Sequence, residues 1–230
     1  MNLLHFQVDG GIAFDVLPAR LVVAGWTGRD SAAIEHHIEE LAAIGVPRPS
    51  SVPLYYRMSR TLLTQDDALE MLGSATSGEA EPVLVRHDGR WWLTVGSDHT
   101  DRAVETYSVA VSKQLCAKPL ARHAWAWDEV AASADTITLR SEIFEQGAWV
   151  TYQEGPMARI RPLHSLVDGL PADVPVADGL VLFCGTLGAI PRADGVGIRP
   201  AARMRIELID AARGLRIAHE YAVTALPLVA

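Results

Sequence analysis

The 230-residue sequence holds only two cysteines, no excess of basic residues and no long apolar run. Each shortage excludes something. Cys116 and Cys184 have no metal-ligand spacing and read as free thiols, which fits a reducing, cytoplasmic compartment. A net charge of −8 argues against a nucleic-acid partner and against an anionic membrane surface, because both call for basic patches. No segment approaches the roughly 20 apolar residues that span a bilayer. The stretch after Met1 alternates like a strand and lacks the charged start and apolar centre of a signal peptide. What is present is 49% hydrophobic residues, enough to bury a full core, beside an ordinary 21% of charged ones.

The pattern along the chain is mostly that of strands. Leu3 to Gln7 and Ile12 to Leu17 flank the turn signal Asp9-Gly10-Gly11. Further hairpins are expected around His87-Asp88-Gly89, around Glu145-Gln146-Gly147, and between Met204–Ile209 and Arg216–Val223. Leu21 to Ala24 reads as a short buried strand and Leu180 to Cys184 as a central one. Helices are predicted over Ser31–Ile44, capped by Asp30 or Ser31, over Asp66–Leu72, in the first turns after Asp101, and over Leu163–Leu170. Many strands, few helices and no repeat predict an α+β fold with a dominant rolled or sandwiched sheet. We divide it into a small N-terminal lobe, residues 1–64, and a main domain, residues 65–230.

The middle third carries the chemistry. Glu79-Ala80-Glu81 places two carboxylates at i and i+2 on an extended segment, hence on one side. Asp98 follows the apolar segment Trp91 to Val95, in the polar run Ser97-Asp98-His99-Thr100-Asp101-Arg102, and can meet them if the intervening strands pair. Alone, an E-x-E is more often a solvated edge. Three converging carboxylates repel one another unless a hard divalent cation such as Mg²⁺ or Mn²⁺ sits between them. His99 reads as a neighbour of that cluster or a surface group, and Cys116 as a buried inert thiol.

The helix from Ser31 holds two His-x-x-Glu pairs. At about 100° per residue, Ile34, Ile38 and Leu41 mark the apolar face. His37 lies on its flank beside Ile44, with Glu40 next around the helix, whereas His36 and Glu39 point to water. A carboxylate beside an imidazole raises its basicity, which suits a general base. Without further context a surface His–Glu pair is the commoner outcome.

In order, these pieces resemble the fumarylacetoacetate hydrolase superfamily and, more narrowly, an uncharacterised bacterial branch of it (DUF2848-like). His37-Ile38-Glu39-Glu40 resembles its dyad helix, and Pro47-Arg48-Pro49 with Pro53-Leu54-Tyr55-Tyr56 its proline-rich loop. Glu79-Ala80-Glu81 and Ser97-Asp98-His99-Thr100-Asp101-Arg102 are similar to its metal motifs. Gln153-Glu154-Gly155 and Gly185-Thr186 are similar to its later strands. The resemblance runs from about residue 20 to 223 and implies a rolled mixed sheet in a homodimer. It implies Mg²⁺, Mn²⁺ or Ca²⁺ on Glu79, Glu81 and Asp98, and His37 with Glu40 as the base. Lys118, twenty residues after Asp98, is the implied electrostatic partner; Lys113 is the other candidate. Tyr56, Arg57, Arg102, Glu105, Lys113, Gln153, Gly185 and Thr186 are the implied substrate contacts. The implied activity is a hydrolase or decarboxylase breaking a C–C bond in a small keto acid or acylpyruvate through a metal-stabilised enolate. An isomerase or hydratase, or a non-catalytic binder, would use the same scaffold. The sequence departs from the family at Trp26-Thr27-Gly28-Arg29, at Arg57 and at Glu105.

Overall fold

The computed structural model describes residues 3–43 and 48–229, without the side chains of residues 37 and 40–43. The chain opens with strands β1 (Leu4–Val8), β2 (Ile12–Val16) and β3 (Arg20–Gly25), helix α1 (Ser31–Ala43) and strand β4 (Leu54–Met58). Short pieces β5 (Leu63–Thr64), β6 (Ala68–Leu72) and β7 (Thr76–Ser77) lead into the long hairpin β8 (Ala80–His87) and β9 (Arg90–Ser97). Next come β10 (Thr100–Asp101), α2 (Arg102–Glu105), α3 (Val109–Gln114), β11 (Lys118–Pro119), β12 (Trp125–Ala126) and α4 (Trp127–Val130). A second long hairpin, β13 (Thr138–Glu145) and β14 (Ala148–Pro156), precedes α5 (Leu163–Asp168) and β15 (Leu180–Phe183). The chain ends on β16 (Arg203–Asp210) and β17 (Leu215–Leu226).

Two sheets carry the α+β fold. One has the order β12-β9-β8-β15-β3-β4, the other β14-β13-β16-β17-β6. The first is buried on both faces, as its strands announce: Val83 to Val85 and Leu180 to Phe183 are unbroken apolar runs with no exposed surface. Alternation sends Val22, Leu84, Leu180 and Leu182 to the core shared with Leu139, Ile206, Leu208 and Ile217 of the second sheet. Leu21, Val23, Val83, Val85, Val181 and Phe183 point the other way, where Leu4, Phe6 and Val16 of the β1–β2 hairpin cover them. Strands from both sides of the expected boundary at residue 64 share the first sheet.

The hairpins expected around residues 9–11, 87–89, 145–147 and 211–214 are all present. The helix expected at Asp66–Leu72 is not. Its Ala, Leu, Glu and Met residues favour a helix locally, yet Ala68–Leu72 is a strand that pairs in parallel with the end of β17. Leu69 and Met71 are buried between exposed neighbours, a period of two that the sheet imposes. A strand over Leu54–Met58 was also not expected. Helix α1 is capped by Asp30, whose carboxylate accepts from the backbone N–H of Ala32 and Ala33. Ile44, at the expected helix end, lies outside the described residues.

Candidate metal centre

The β8–β9 hairpin gathers the acidic residues. Ala80 pairs with Ser97 and Glu81 with Gly96, which sets Glu79 beside Asp98. The Asp98 N–H then donates to the Glu79 carbonyl at 2.9 Å. Carboxylate oxygens of Glu79, Glu81 and Asp98 all lie within 4.8 Å of one another. Gly96 makes that pairing possible, because a Cβ there would stand 2.7 Å from the Phe183 ring and 2.8 Å from Leu120. Gly185 fixes Glu81: its N–H donates to Glu81 Oε2 at 2.7 Å. That approach needs φ of +91°, and an added Cβ would sit 1.6 Å from Thr27 Oγ1.

Three oxygen donors at the open end of the β8–β9 hairpin suit a hard divalent cation. Asp98, with no exposed surface, has one oxygen, Oδ1, that makes no hydrogen bond of good geometry. Burial, then repulsion from Asp98, pushes the Glu81 carboxyl well above its ordinary range. A divalent ion would reverse that by holding all three carboxylates charged. The residues present therefore fit the metal.

Two lysines share Asp98. Burial alone would raise its carboxyl, but the ammonium groups of Lys113 and Lys118 outweigh that and hold it below the usual range. Lys113 Nζ bonds Asp98 Oδ2 and lies 3.8 Å from Glu79 Oε2. Lys118 Nζ lies 3.1 Å from Asp98 Oδ1 and donates to the carbonyls of His99 and Lys113. The two differ in reach. Lys118 is fully buried beneath Asp98, whereas Lys113 lines the cavity over the carboxylates. Arg102 joins the cluster through Glu79 at 3.1 Å, Glu105 at 2.9 Å and Ser77 Oγ at 2.7 Å.

That cavity measures about 550 Å³. Tyr56, Arg102, Glu105, Lys113, Gly185 and Thr186 line it with Glu79 and Glu81. Arg57 and Gln153, both expected at the substrate, are elsewhere. Neighbours on a strand face opposite sides, so with Tyr56 turned in, Arg57 turns out and pairs with Asp173 at 2.6 Å. Gln153 is buried as a brace. It accepts from the Ala80 N–H and Ser141 Oγ, and donates to Thr186 Oγ1 and the Leu187 carbonyl. Thr186 in turn donates to the Ala80 carbonyl at 2.7 Å. The pair ties the Glu79–Glu81 segment to the strand behind it.

The side chains of His37 and Glu40 lie outside the described residues. Their helix starts next to the cavity, since the Arg29 N–H donates to Arg159 and the Arg161 N–H to Thr27. His36 and Glu39 are exposed, as expected.

Two residues have roles in the structure that the sequence pattern leaves open. His99 is buried, bridging Thr76 Oγ1 at 3.0 Å and the Tyr221 hydroxyl at 3.2 Å, and Tyr221 donates onward to Ser97. Burial and the nearby Lys118 and Arg102 drop its imidazole to about 3, so it is neutral. Trp26 takes a left-handed φ of +59° at the cavity wall and hydrogen-bonds Tyr56. For a bulky residue that conformation costs of order 1–3 kcal/mol. The departure from the family at Trp26-Thr27-Gly28-Arg29 was the signal available. Cys116 is buried, its thiol pushed up to about 11 by burial.

Comparison with curated protein sequences gives no match. Among solved structures, Cg1458 bound to an inhibitor aligns with a TM-score of 0.67 at 15% identity, covering 92% of this chain and 78% of that one. A 2-keto-3-deoxy-D-arabinonate dehydratase complexed with magnesium and 2,5-dioxopentanoate aligns at 0.61 and 15% identity, covering 92% and 74%. The 4-oxalocrotonate decarboxylase from Pseudomonas putida G7, complexed with calcium and acetate, aligns at 0.56 and 14%, covering 90% and 79%. These likenesses establish a shared fold. The profile of the family described as "Protein of unknown function (DUF2848)" matches residues 24–221. The chain therefore belongs to the DUF2848 family, built on the fold of the fumarylacetoacetate hydrolase superfamily.

Proposed function

We propose that the protein is a divalent-metal-dependent enzyme acting on a small 2-keto acid or acylpyruvate, breaking a C–C bond as a hydrolase or decarboxylase. The observation that carries this is the convergence of Glu79, Glu81 and Asp98 within 4.8 Å at the floor of the cavity. Glu79, Glu81 and Asp98 would hold a divalent cation there, which would supply a Lewis acid to stabilise negative charge developing on substrate oxygens. The chain supplies the rest. Gly185 holds Glu81 in place, and Lys118 holds Asp98 charged from below. Lys113 brings a positive charge to the cavity where an enolate develops. On its His-x-x-Glu spacing to Glu40, His37 is assigned as the base that activates water. A second reading, a dehydratase or isomerase passing through the same enolate without that water, is favoured by the likeness to the magnesium-bound keto-acid dehydratase.

Calorimetric titration with Mg²⁺ is expected to give one site that Glu81→Gln abolishes. Turnover of acylpyruvates should require the ion. Replacing His37 with Ala should lower kcat by about 10²–10⁴ while Mg²⁺ still binds. Unchanged turnover in that variant removes His37 from the base role, and Mg²⁺-independent turnover ends the proposal.

A further inference from the structure

The charges around the cavity form a closed set. The acids that line it, or pair with groups that do, are Glu79, Glu81, Asp98 and Glu105; the cations are Arg102, Lys113 and Lys118. Four carboxylates against three cations leave one negative charge among the described residues. A divalent ion turns that into one positive charge. A single substrate carboxylate cancels it, and a second finds nothing to balance it. Both cavity-lining cations are already ion-paired: Arg102 with Glu79 and Glu105, although its buried Nη2 makes no hydrogen bond among the described residues, and Lys113 with Asp98 and Glu79. Burying an unmatched charge is strongly unfavourable.

Part of the cavity lining is of a different kind. Trp26, Tyr56, Val109 and Ile198 line it. Trp26 is held there against its backbone preference, hydrogen-bonded to Tyr56. Trp26 and Gly28 also line a neighbouring open cleft of about 670 Å³, which continues over Ala33, Ile34 and Ala158. Of the two arginines in that cleft, Arg29 is held by both oxygens of Asp135. Arg159 is exposed to solvent, where its attraction for an anion is screened.

We infer that the substrate is a keto acid with one carboxylate and a neutral, apolar tail that lies along Trp26 and Tyr56, in preference to a dicarboxylate. The inference rests on the metal and keto-acid reading above. Oxamates test it, since they offer the same chelating head with a chosen tail. Binding to the Mg²⁺-loaded protein would be measured by calorimetry for oxamate, N-benzyloxamate and N-oxalylglycine. Oxamate, with one carboxylate, should bind only with Mg²⁺, and N-benzyloxamate should bind at least about tenfold more tightly than N-oxalylglycine. Glu105→Gln removes one negative charge and should narrow that gap by strengthening N-oxalylglycine. Trp26→Gly, which tolerates the left-handed backbone, should weaken N-benzyloxamate and leave oxamate unchanged. If oxamate binds with Mg²⁺ but N-oxalylglycine matches N-benzyloxamate, the tail inference falls and the keto-acid reading stands. If oxamate does not bind with Mg²⁺, both fall.

Discussion

Lys118 has no exposed surface and lies against Asp98, which has none either. Burial pulls its ammonium down, while Asp98 pulls it up and falls short. Such a pair is held ionised by its partners, so removing one member strands the other. Lys118→Met is expected to cost about 3–5 kcal/mol in the metal-free protein, read from urea unfolding. A loss under about 1 kcal/mol would mean that Asp98 simply takes up a proton and that the pair is not ionised. The two lysines show where residue-level reading stops. Glu79, Glu81 and Asp98 were legible because an E-x-E, a hairpin turn and a fixed register leave little freedom. Lys113 and Lys118 sit on a short helix and on the strand after it, and both reach one carboxylate. Spacing from Asp98 singled out Lys118, but only the folded chain tells that Lys113 is the one lining the cavity.

At the scale of elements, α1 is set by its cap and by the segment before it. Asp30 Oδ1 accepts from Ala32 at 3.0 Å and from Ala33 at 3.1 Å, satisfying two of the first-turn donors. Asp30→Ala should cost about 1 kcal/mol and speed amide exchange across residues 31–43. If α1 delivers the base, kcat should drop in the same variant while Mg²⁺ affinity holds; kcat untouched by a frayed helix would place the base elsewhere. The helix was readable because its cap, its 3.6-residue period and its glycine–proline exit agree. Ala68–Leu72 was not, because helix-favouring residues there meet a sheet edge supplied by β17, some 150 residues later. Failure to see Leu54–Met58 as a strand had a direct cost at the site. The resemblance implied both Tyr56 and Arg57 as substrate contacts, and strand parity turns only Tyr56 inward.

At the scale of the whole molecule, a buried imidazole is one of the groups that join the second sheet to the metal hairpin, beside Gln153 and Tyr221. His99 follows Asp98 in the chain and reaches Tyr221 on β17, which also bonds Ser97 on β9. No sequence pattern announces a bond between residues 122 positions apart, which is why His99 read as a neighbour or a surface group. Its imidazole falls to about 3 in the fold against 6.5 when free, so the native state excludes a proton that the unfolded chain accepts. Stability from this group is thus complete above pH 6.5 and is lost as pH falls toward 3. Between pH 6.5 and 5 the loss should be about 2 kcal/mol, at 1.36 kcal/mol per pH unit. Glu81 works in the opposite direction in the metal-free protein, since its raised carboxyl takes up a proton more readily folded than unfolded. The two separate by comparison. His99→Gln keeps hydrogen-bonding capacity toward Thr76 and Tyr221 but cannot be protonated. Urea midpoints of the metal-free wild type should therefore fall across pH 6.5 to 5 relative to those of His99→Gln, whose curve keeps only the carboxylate contribution. Parallel curves would mean that the imidazole carries its proton inside the fold, and that the bridge between the sheets is charged.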